Sequence, residues 1–383
     1  MDFNLDESQR DLAATIRTFA TKELQSEALR RAHDPNYPWD VARQLGEMGL
    51  IGLTIAAEDG GGGGSLMDAV IVIQELAKVC PTSADVFQAG NFGAIRTFAE
   101  YASDAQKSKY LPGLLSGDAL IALGMSEAEA GSAVTDLRTT ARPEGDGYVI
   151  NGTKLWSTHS HDASMYLVYV RFGPGVDGIG SILVERDTPG LTVGPPESYM
   201  SGEQWCELSF ENCWVSADNV LLGPGGFKKQ ISGFNVERIG NSARAVALGQ
   251  HAFNVAKEHA RQREQFGRTL SDFQGIQWKF AEMAVKLEAA QMLLYRAATN
   301  ADTGLPSAYE TSIAKYAANT AGFEVTNEAV QVMGAMGYST ETLVEYCFRR
   351  TRGWMIAGGS LEMLRNRIAE TVFDTRFSQR PPR

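Results

Sequence analysis

The spacing of apolar residues changes twice along this chain of 383 residues, and those two changes restrict the fold more than any other feature. Near the start, Leu12, Ile16, Phe19 and Ala20 recur at helical intervals behind Asp6, and Gln9 stands where it would close a capping box. "EDGGGGGSLMD", Glu58 to Asp68, is too rich in glycine for a helix, and "AVIVIQELAKV" then restores the helical period to about residue 115. From 119 to 222 the texture is different. "ALIALGMSE", "GYVINGTKLWST", "SMYLVYVRF", "IGSILVE" and "CELSFENCWV" are short, β-branched and aromatic, and Cys206, Leu208 and Phe210 alternate with polar residues as on a half-buried strand. Beyond "LLGPGGFKK" the helical period returns in long segments near 230–263, 273–302, 306–336 and 360–373. The expectation is an α+β chain: an N-terminal helical domain (1–118), a central antiparallel β-barrel or sandwich (119–225) and a C-terminal four-helix bundle (226–383).

Composition narrows the function. Hydrophobic residues at 44% and charged ones at 21% fit a globular protein, and a formal charge of −11 argues against nucleic acid, whose phosphates need a basic face. Arg349, Arg350, Arg352, Arg365 and Arg367 form a local basic cluster, which surface salt bridges account for as well as a phosphorylated cofactor does. Cys80, Cys206, Cys213 and Cys347 have no metal-binding or disulfide spacing, so no metal is expected and the thiols read as reduced ones in a cytoplasmic protein. "MDFNLDESQRDL" lacks the basic and apolar regions of a signal peptide, and no apolar run reaches the roughly 20 residues that a membrane span needs.

Four local motifs follow the same order as the texture. "MSEAEAGSAVTDLRTTA", "NGTKLWSTHS", "REQFGRTLSDFQGIQ" and "QVMGAMGYS" resemble the TEPxAGSD, KxWIT, RxxFGxxLxxxQ and QxxGGxGY segments of the acyl-CoA dehydrogenase family of flavoproteins. Any one of them is weak; four in the family's order and at its spacing make a resemblance along essentially the whole chain. It implies FAD, with Ser126 and Thr158 as hydroxyls near the flavin ring and Trp156 packed against it. Arg263, Phe266 and Gln274 resemble contacts to the pyrophosphate and adenine, where an arginine fork suits a diphosphate. Gln331 and Gly334 resemble contacts from a neighbouring subunit, so the resemblance also implies an oligomer, a homotetramer in much of the family. Ala335 replaces the second usual glycine there. Without the resemblance, Thr158 is an ordinary strand threonine and Trp156 a core aromatic.

"WMIAGGSLEML", Trp354 to Leu364, raises a different question. Ser360 can cap the helix running on from Leu361. The stretch resembles the family's IYEGTSEIQ segment, in which a glutamate removes the proton beside the thioester carbonyl, but Gly358 stands in that place. Ser360 and Glu362 fall at cofactor-contacting positions and do not replace it. In isovaleryl-type and long-chain-type members the glutamate lies on an earlier helix, in a segment similar to "GFNVERIG", which puts Glu237 at the position of the base and Arg238 on the CoA side. The ordinary fate of a Glu–Arg dipeptide on a helix is a solvated surface pair.

The "AGGS" form is also similar to two unusual branches, the crotonobetainyl-CoA reductase type and the 3-sulfinopropionyl-CoA desulfinase type. The second lacks the base at both places and carries an arginine for its anionic substrate in the helix before the β domain. This chain keeps Glu237 and has Asp85 at about that arginine's place. The resemblance therefore implies a dehydrogenase acting on the α,β bond of an acyl thioester, carried by CoA or a carrier protein, with electrons leaving to an electron-transfer flavoprotein. Ser132, Gly358, Asp85 and Gln88 are implied at the substrate, the last two pointing to a short or polar acyl group; surface roles on a helix explain Asp85 and Gln88 equally well. An enoyl-CoA reductase, a desulfinase-type lyase and a catalytically silent flavin scaffold are the alternatives.

Overall fold

The computed structural model describes residues 4–301 and 305–380, and the chain divides into two compact units. One unit holds the N-terminal residues through Ala32, Leu66–Ala84, and the chain from Glu237 onward. Its helices are α1 (Glu7–Phe19), α2 (Ala28–His33), α4 (Leu66–Ala77) and the long C-terminal helices described below. Asp6 caps α1 and Gln9 closes the box, as the sequence predicts. The other unit comprises His33–Ser65 and Asp85–Val236. It carries α3 (Trp39–Glu47), most of α5 (Pro81–Asn91), α6 (Ala94–Tyr101), α7 (Asp104–Leu115) and the sheet.

Nine strands pair in that sheet among the described residues: β1 (Ile121–Gly124), β2 (Thr140–Glu144), β3 (Gly147–Thr158), β4 (Met165–Arg171), β5 (Ile179–Glu185), β6 (Leu191–Val193), β7 (Glu197–Ser198), β8 (Gln204–Ser216) and β9 (Val220–Leu222). Their order is β6-β8-β3-β2-β4-β5-β9, with β1 beside β4 and β7 beside β8. This corrects the expected antiparallel barrel in two ways. The ends of the path, β6 and β9, are not paired, so the sheet is not closed, and β1–β4 and β2–β4 run parallel. Alternation along a strand shows that one face is buried; it carries no information on whether the outermost strands meet. One face of the sheet packs against α6 and α7, burying Phe98, Leu111, Leu114, Ile121, Leu167, Tyr169 and Leu183 in one cluster.

The two longest strands, β3 and β8, pair antiparallel with register shifts at Ile150/Gly152 and Lys154/Ser157. The second shift coincides with a left-handed backbone at Trp156, φ 61°, which turns its indole outward to 53% exposure while Ser157 stays buried. Beneath it lies a buried ion pair. Lys154 has no solvent exposure, and its Nζ lies 2.7 Å from Glu127 Oε1 and 3.2 Å from the Met125 carbonyl. Glu127 also accepts from the amides of Arg138 and Thr139 and from the Thr139 hydroxyl. Burial pushes the Lys154 ammonium down to about 8, whereas Glu127, although burial opposes its charge, is held below the usual carboxylate range by Lys154 and these donors. The pair thus ties the 125–127 segment to β3.

Lys154→Met leaves Glu127 buried without its cation. It should cost about 3–5 kcal/mol, read as a fall in the denaturation midpoint, and removing both charges (Lys154→Met with Glu127→Leu) should recover part of that loss. An unchanged midpoint in the single variant would contradict the buried-pair account.

The C-terminal stretch forms α8 (Phe227–Gln262), which belongs to the first unit from Glu237 onward, and then, within that unit, the hairpin strands β10 (Glu264–Gln265) and β11 (Arg268–Thr269), α9 (Gln274–Thr299), α10 (Ala308–Met333), the one-turn α11 (Ala335–Tyr338), α12 (Leu343–Trp354) and α13 (Leu361–Val372). α12 lies outside the four helical segments expected from the sequence, although Val344, Cys347, Thr351 and Trp354 are buried along one face and Thr342 caps its start. Val246, Met283, Leu287, Ala318 and Val325 join α8, α9 and α10 in one core. The axes of α8 and α10 come close at Gly322, where a Cβ would lie 2.6 Å from the Ala245 carbonyl oxygen. That approach brings the side chains of α8 and α10 to the turn between α12 and α13.

Candidate functional site

The turn from Trp354 to Ser360 ends one helix and starts another, so several of its carbonyls have no helical partner. Lys315 on α10 supplies one. Its side chain is fully buried, and Nζ donates to the carbonyls of Trp354 (3.1 Å), Ala357 (2.8 Å) and Gly359 (2.9 Å). Asn319, one helical turn on, donates to the same Trp354 carbonyl at 2.6 Å and to Asn241 Oδ1 at 2.9 Å. From α8, Arg238 Nε donates to the Gly358 carbonyl at 3.0 Å. The guanidinium groups of Arg244 and Arg350 lie over the Trp354 ring, at 4.5 and 5.0 Å from its centroid. The turn is therefore fixed at both ends and in the middle.

Gly358 and Gly359 have φ values of 68° and 94°, a left-handed region open to glycine and strained for other residues. A Cβ at Gly358 would point toward Glu237, 3.8 Å from its Oε1, and would sit 3.6 Å from Lys315 Cε. At Gly359 a Cβ would meet Arg238 Nη2 at 3.2 Å. The sequence position that lacks a carboxylate therefore faces the carboxylate of Glu237. Glu237 is part-buried; burial raises its pKa, and Arg238, Arg244 and Lys315 oppose that rise without cancelling it. Lys315 is pushed down to about 7 by burial and by Arg238, while Glu237 and its three carbonyl acceptors favour the charged form. A carboxyl with a raised pKa beside a fixed turn is suited to take up a proton near neutral pH.

The remaining expected residues fall into separate groups. In the sheet unit, Leu155 N donates to the Ser126 carbonyl at 2.9 Å, which holds Ser126 beside β3, the strand that carries Trp156 and Thr158. Trp156, Trp205 and Tyr199 form an aromatic surface, with ring centroids 4.2 Å (Trp156–Trp205) and 6.2 Å (Trp156–Tyr199) apart. Ser132 is exposed, and Asp85 and Gln88 lie on α5, with Gln88 buried. In the helical unit, Phe266 sits in the β10–β11 turn at 94% exposure, Arg263 and Gln274 flank that hairpin on the surface, and Gln331 and Gly334 lie exposed at the end of α10. Ser360 occupies the N-cap position of α13 with extended backbone but makes no capping bond through its side chain. Glu362 is exposed in the first turn, 3.5 Å from Arg365. Arg238, expected at the substrate, packs on the 358–359 backbone. Sequence reasoning missed Lys315, Asn319 and Arg244.

Family models for the N-terminal, middle and C-terminal domains of acyl-CoA dehydrogenase match residues 6–118, 122–213 and 224–373. The 3-sulfinopropanoyl-CoA desulfinase of Paraburkholderia xenovorans is 35% identical, the match covering 99% of each chain. The short-chain specific acyl-CoA dehydrogenase of Clostridium acetobutylicum is 32% identical over 97% of this chain and all of its own. Butyryl-CoA dehydrogenase from Megasphaera elsdenii superposes with a TM-score of 0.91 at 32% identity, covering 97% of this chain and 100% of that one.

Lys315→Met should leave the Ala357 and Gly359 carbonyls without this donor and the Trp354 carbonyl with Asn319 in its place. A loss of roughly 2–5 kcal/mol of stability is expected, measured as a lower unfolding midpoint, together with faster amide exchange at residues 355–361. Unaltered exchange in that segment would show that the turn does not depend on Lys315.

Proposed function

The chain belongs to the acyl-CoA dehydrogenase family, and on that premise we propose that it is an FAD-dependent oxidoreductase that oxidises the α,β bond of a short or polar acyl-CoA. The observation that carries this reading is the convergence of Gly358 and Glu237. In the family resemblance a glutamate occupies the turn; here a carboxylate from α8 stands 3.8 Å from where its Cβ would be. Glu237 takes the proton from the α-carbon. Its raised pKa lets it hold that proton, and the nearby cations Arg238, Arg244 and Lys315 stabilise the carboxylate that must be present beforehand. The 354–360 turn, held by Lys315 and Arg238, fixes the backbone beside the reacting carbons.

Bound FAD would supply the acceptor for the hydride that leaves the β-carbon. The chain's exposed and half-buried groups fit such a cofactor: the outward indole of Trp156 with Thr158 and Ser126 for the ring, Arg263, Phe266 and Gln274 for the diphosphate and adenine, Gln331 and Gly334 for contacts from a neighbouring subunit, and Ser360 and Glu362 for further contacts to the cofactor. The assembly is a homotetramer or at least a dimer; the exposed rings of Phe266 and Tyr338, at 94% and 83% exposure, support this reading as side chains that a second copy would cover. Electrons pass on to an electron-transfer flavoprotein. The three-domain division at 118/119 and 225/226 belongs to the same reading. No helix among the described residues is long and apolar enough to cross a membrane, and the proposed location is the cytoplasm.

The identity to a desulfinase favours a second reading, a lyase acting on 3-sulfinopropanoyl-CoA. Asp85 speaks against it, because a carboxylate in a poorly solvated acyl site repels a sulfinate or carboxylate end group.

Anaerobic mixing with a panel of acyl-CoAs separates these readings. Butyryl-type or neutral polar thioesters should bleach the flavin, and succinyl-, glutaryl- and 3-sulfinopropanoyl-CoA should react poorly; sulfite release without bleaching would establish the lyase. Asp85→Arg should move preference toward the acidic thioesters. The rate of bleaching should climb with pH along a limb whose midpoint lies above the ordinary carboxylate value, since Glu237 must be ionised to act and burial raises its pKa. The purified protein should be yellow, with about one FAD per subunit of an oligomer; a monomer that stays colourless when incubated with FAD would overturn the cofactor and assembly readings together.

A further inference from the structure

The turn between β3 and β4 holds a cluster that neither the base nor the flavin segment uses. His159, His161 and Asp162 each present one ligand-type atom, and these atoms lie within 4.8 Å of one another. His159 Nδ1 is 3.5 Å and His161 Nε2 3.0 Å from Asp162 Oδ2, with all three side chains less than one-fifth exposed. Despite these short distances no hydrogen bond forms: His159 Nδ1, both ring nitrogens of His161 and Asp162 Oδ2 are buried without a hydrogen-bond partner. Polar atoms withdrawn from water normally find one. A single cation shared among them removes that deficit.

The distances suit a transition metal. Bonds of about 2.0–2.2 Å from a tetrahedral ion to nitrogen and oxygen place neighbouring ligand atoms about 3.3–3.6 Å apart; the two contacts to Asp162 Oδ2, 3.5 and 3.0 Å, lie near that range, and all three ligand atoms stay within 4.8 Å of one another. The other ring nitrogen of His159, Nε2, lies 3.8 Å from Glu203 Oε1, beyond hydrogen-bond distance but near enough for that carboxylate to favour a cation held by the ring. Tyr37 packs edge-on against His159 at 5.3 Å, and its buried hydroxyl lies within the electrostatic reach of both Asp85 and Asp162, so the surroundings are negative.

The turn is built to stay in place. His159 has a left-handed backbone, φ 53°, and its amide donates to the Gln204 carbonyl at 2.9 Å. Arg186 Nη1 donates to the carbonyls of Ser160, His161 and Ala163, and Tyr166 Oη donates to the Ser160 carbonyl at 2.8 Å. Ser160 Oγ donates to the Ser157 carbonyl and accepts from the Cys206 amide. Arg186 keeps its positive charge within electrostatic reach of His161, and the Asp162 carboxylate opposes it there. Fixed ligands of this kind spare the ion the ordering of its own site.

We propose that His159 Nδ1, His161 Nε2 and Asp162 Oδ2 form a three-ligand site for a divalent transition-metal ion of the zinc class, with a further coordination position left to water. An ion there cross-links the turn that follows Thr158 and so helps to hold that residue in place.

The test uses the FAD-loaded protein, stripped with a chelator and then equilibrated with Zn²⁺, or with Co²⁺ for its visible spectrum. The wild type should retain about one ion per chain and show tetrahedral cobalt bands, and Zn²⁺ should raise its melting midpoint. His161→Gln and Asp162→Asn should each weaken binding by at least about tenfold without loss of FAD, whereas His33→Gln, outside the cluster, should bind as the wild type does. Failure of the wild type to hold stoichiometric metal, or undiminished binding in both His161→Gln and Asp162→Asn, would overturn the proposal. If one of these variants does not fold, the wild-type stoichiometry and the other variant still decide.

Discussion

Lys315 has no contact with solvent, and its ammonium meets three carbonyl oxygens of a single turn. Burying a charge on a long flexible side chain is costly unless hydrogen bonds and a counter-charge replace the lost water. Here the carbonyls of Trp354, Ala357 and Gly359 provide the first and Glu237 the second. The consequence runs in both directions. The turn keeps a shape with two left-handed glycines, which leaves the space beside Gly358 open, and Glu237 acquires a neighbouring cation that lets it exist as a carboxylate despite burial. Arg238 and Arg244 act in the same sense, and together with Lys315 they oppose the protonation of Glu237 that burial favours.

A second buried lysine does a comparable thing in the sheet. Lys154 and Glu127 neutralise each other under the bulge that turns Trp156 outward, so the two segments that resemble flavin contacts are joined by one ion pair. In both units, then, a buried lysine fixes the backbone beside residues proposed for the site. Removing one member of such a pair is more damaging than exchanging both, because it strands the other. This also explains why Arg238 packs on the 358–359 backbone rather than standing free: the turn needs a second donor, and the next residue along α8 is the one that supplies it.

Much of the architecture was legible because periodicity reports burial directly. The α1 capping box, the full span of β3 and the alternation of Cys206, Leu208 and Phe210 all follow from local pattern. Closure of the sheet was not legible, since it depends on which strands meet at the ends and on parallel pairing between segments far apart in sequence. α12 was missed although its buried residues are regularly spaced, because three of them, Glu345, Arg350 and Thr351, are polar and interrupt the apolar pattern that the sequence shows. At the site, Glu237 could be read only from its position in a familiar segment; as a lone dipeptide it looks like solvated surface. Lys315 gave one faint signal, a lysine on a helix whose neighbours Ala314, Ala318, Ala321 and Gly322 are small and apolar. Lysines are so rarely buried that such a residue is ordinarily placed in solvent. The His159–Asp162 cluster is adjacent in sequence, yet only the fold shows that His159 Nδ1, both ring nitrogens of His161 and Asp162 Oδ2 are buried without hydrogen-bond partners.

The central claim is that Glu237, rather than any residue of the 354–360 turn, receives the α-proton. Single-turnover flavin reduction in Glu237→Gln measures this most directly, with the best acyl-CoA and with FAD and substrate binding checked separately. Gln keeps the size of the side chain but cannot accept the proton, so binding should persist while the rate falls by about 10²–10⁴-fold. A variant that reduces its flavin at the wild-type rate would place the base elsewhere and contradict the account.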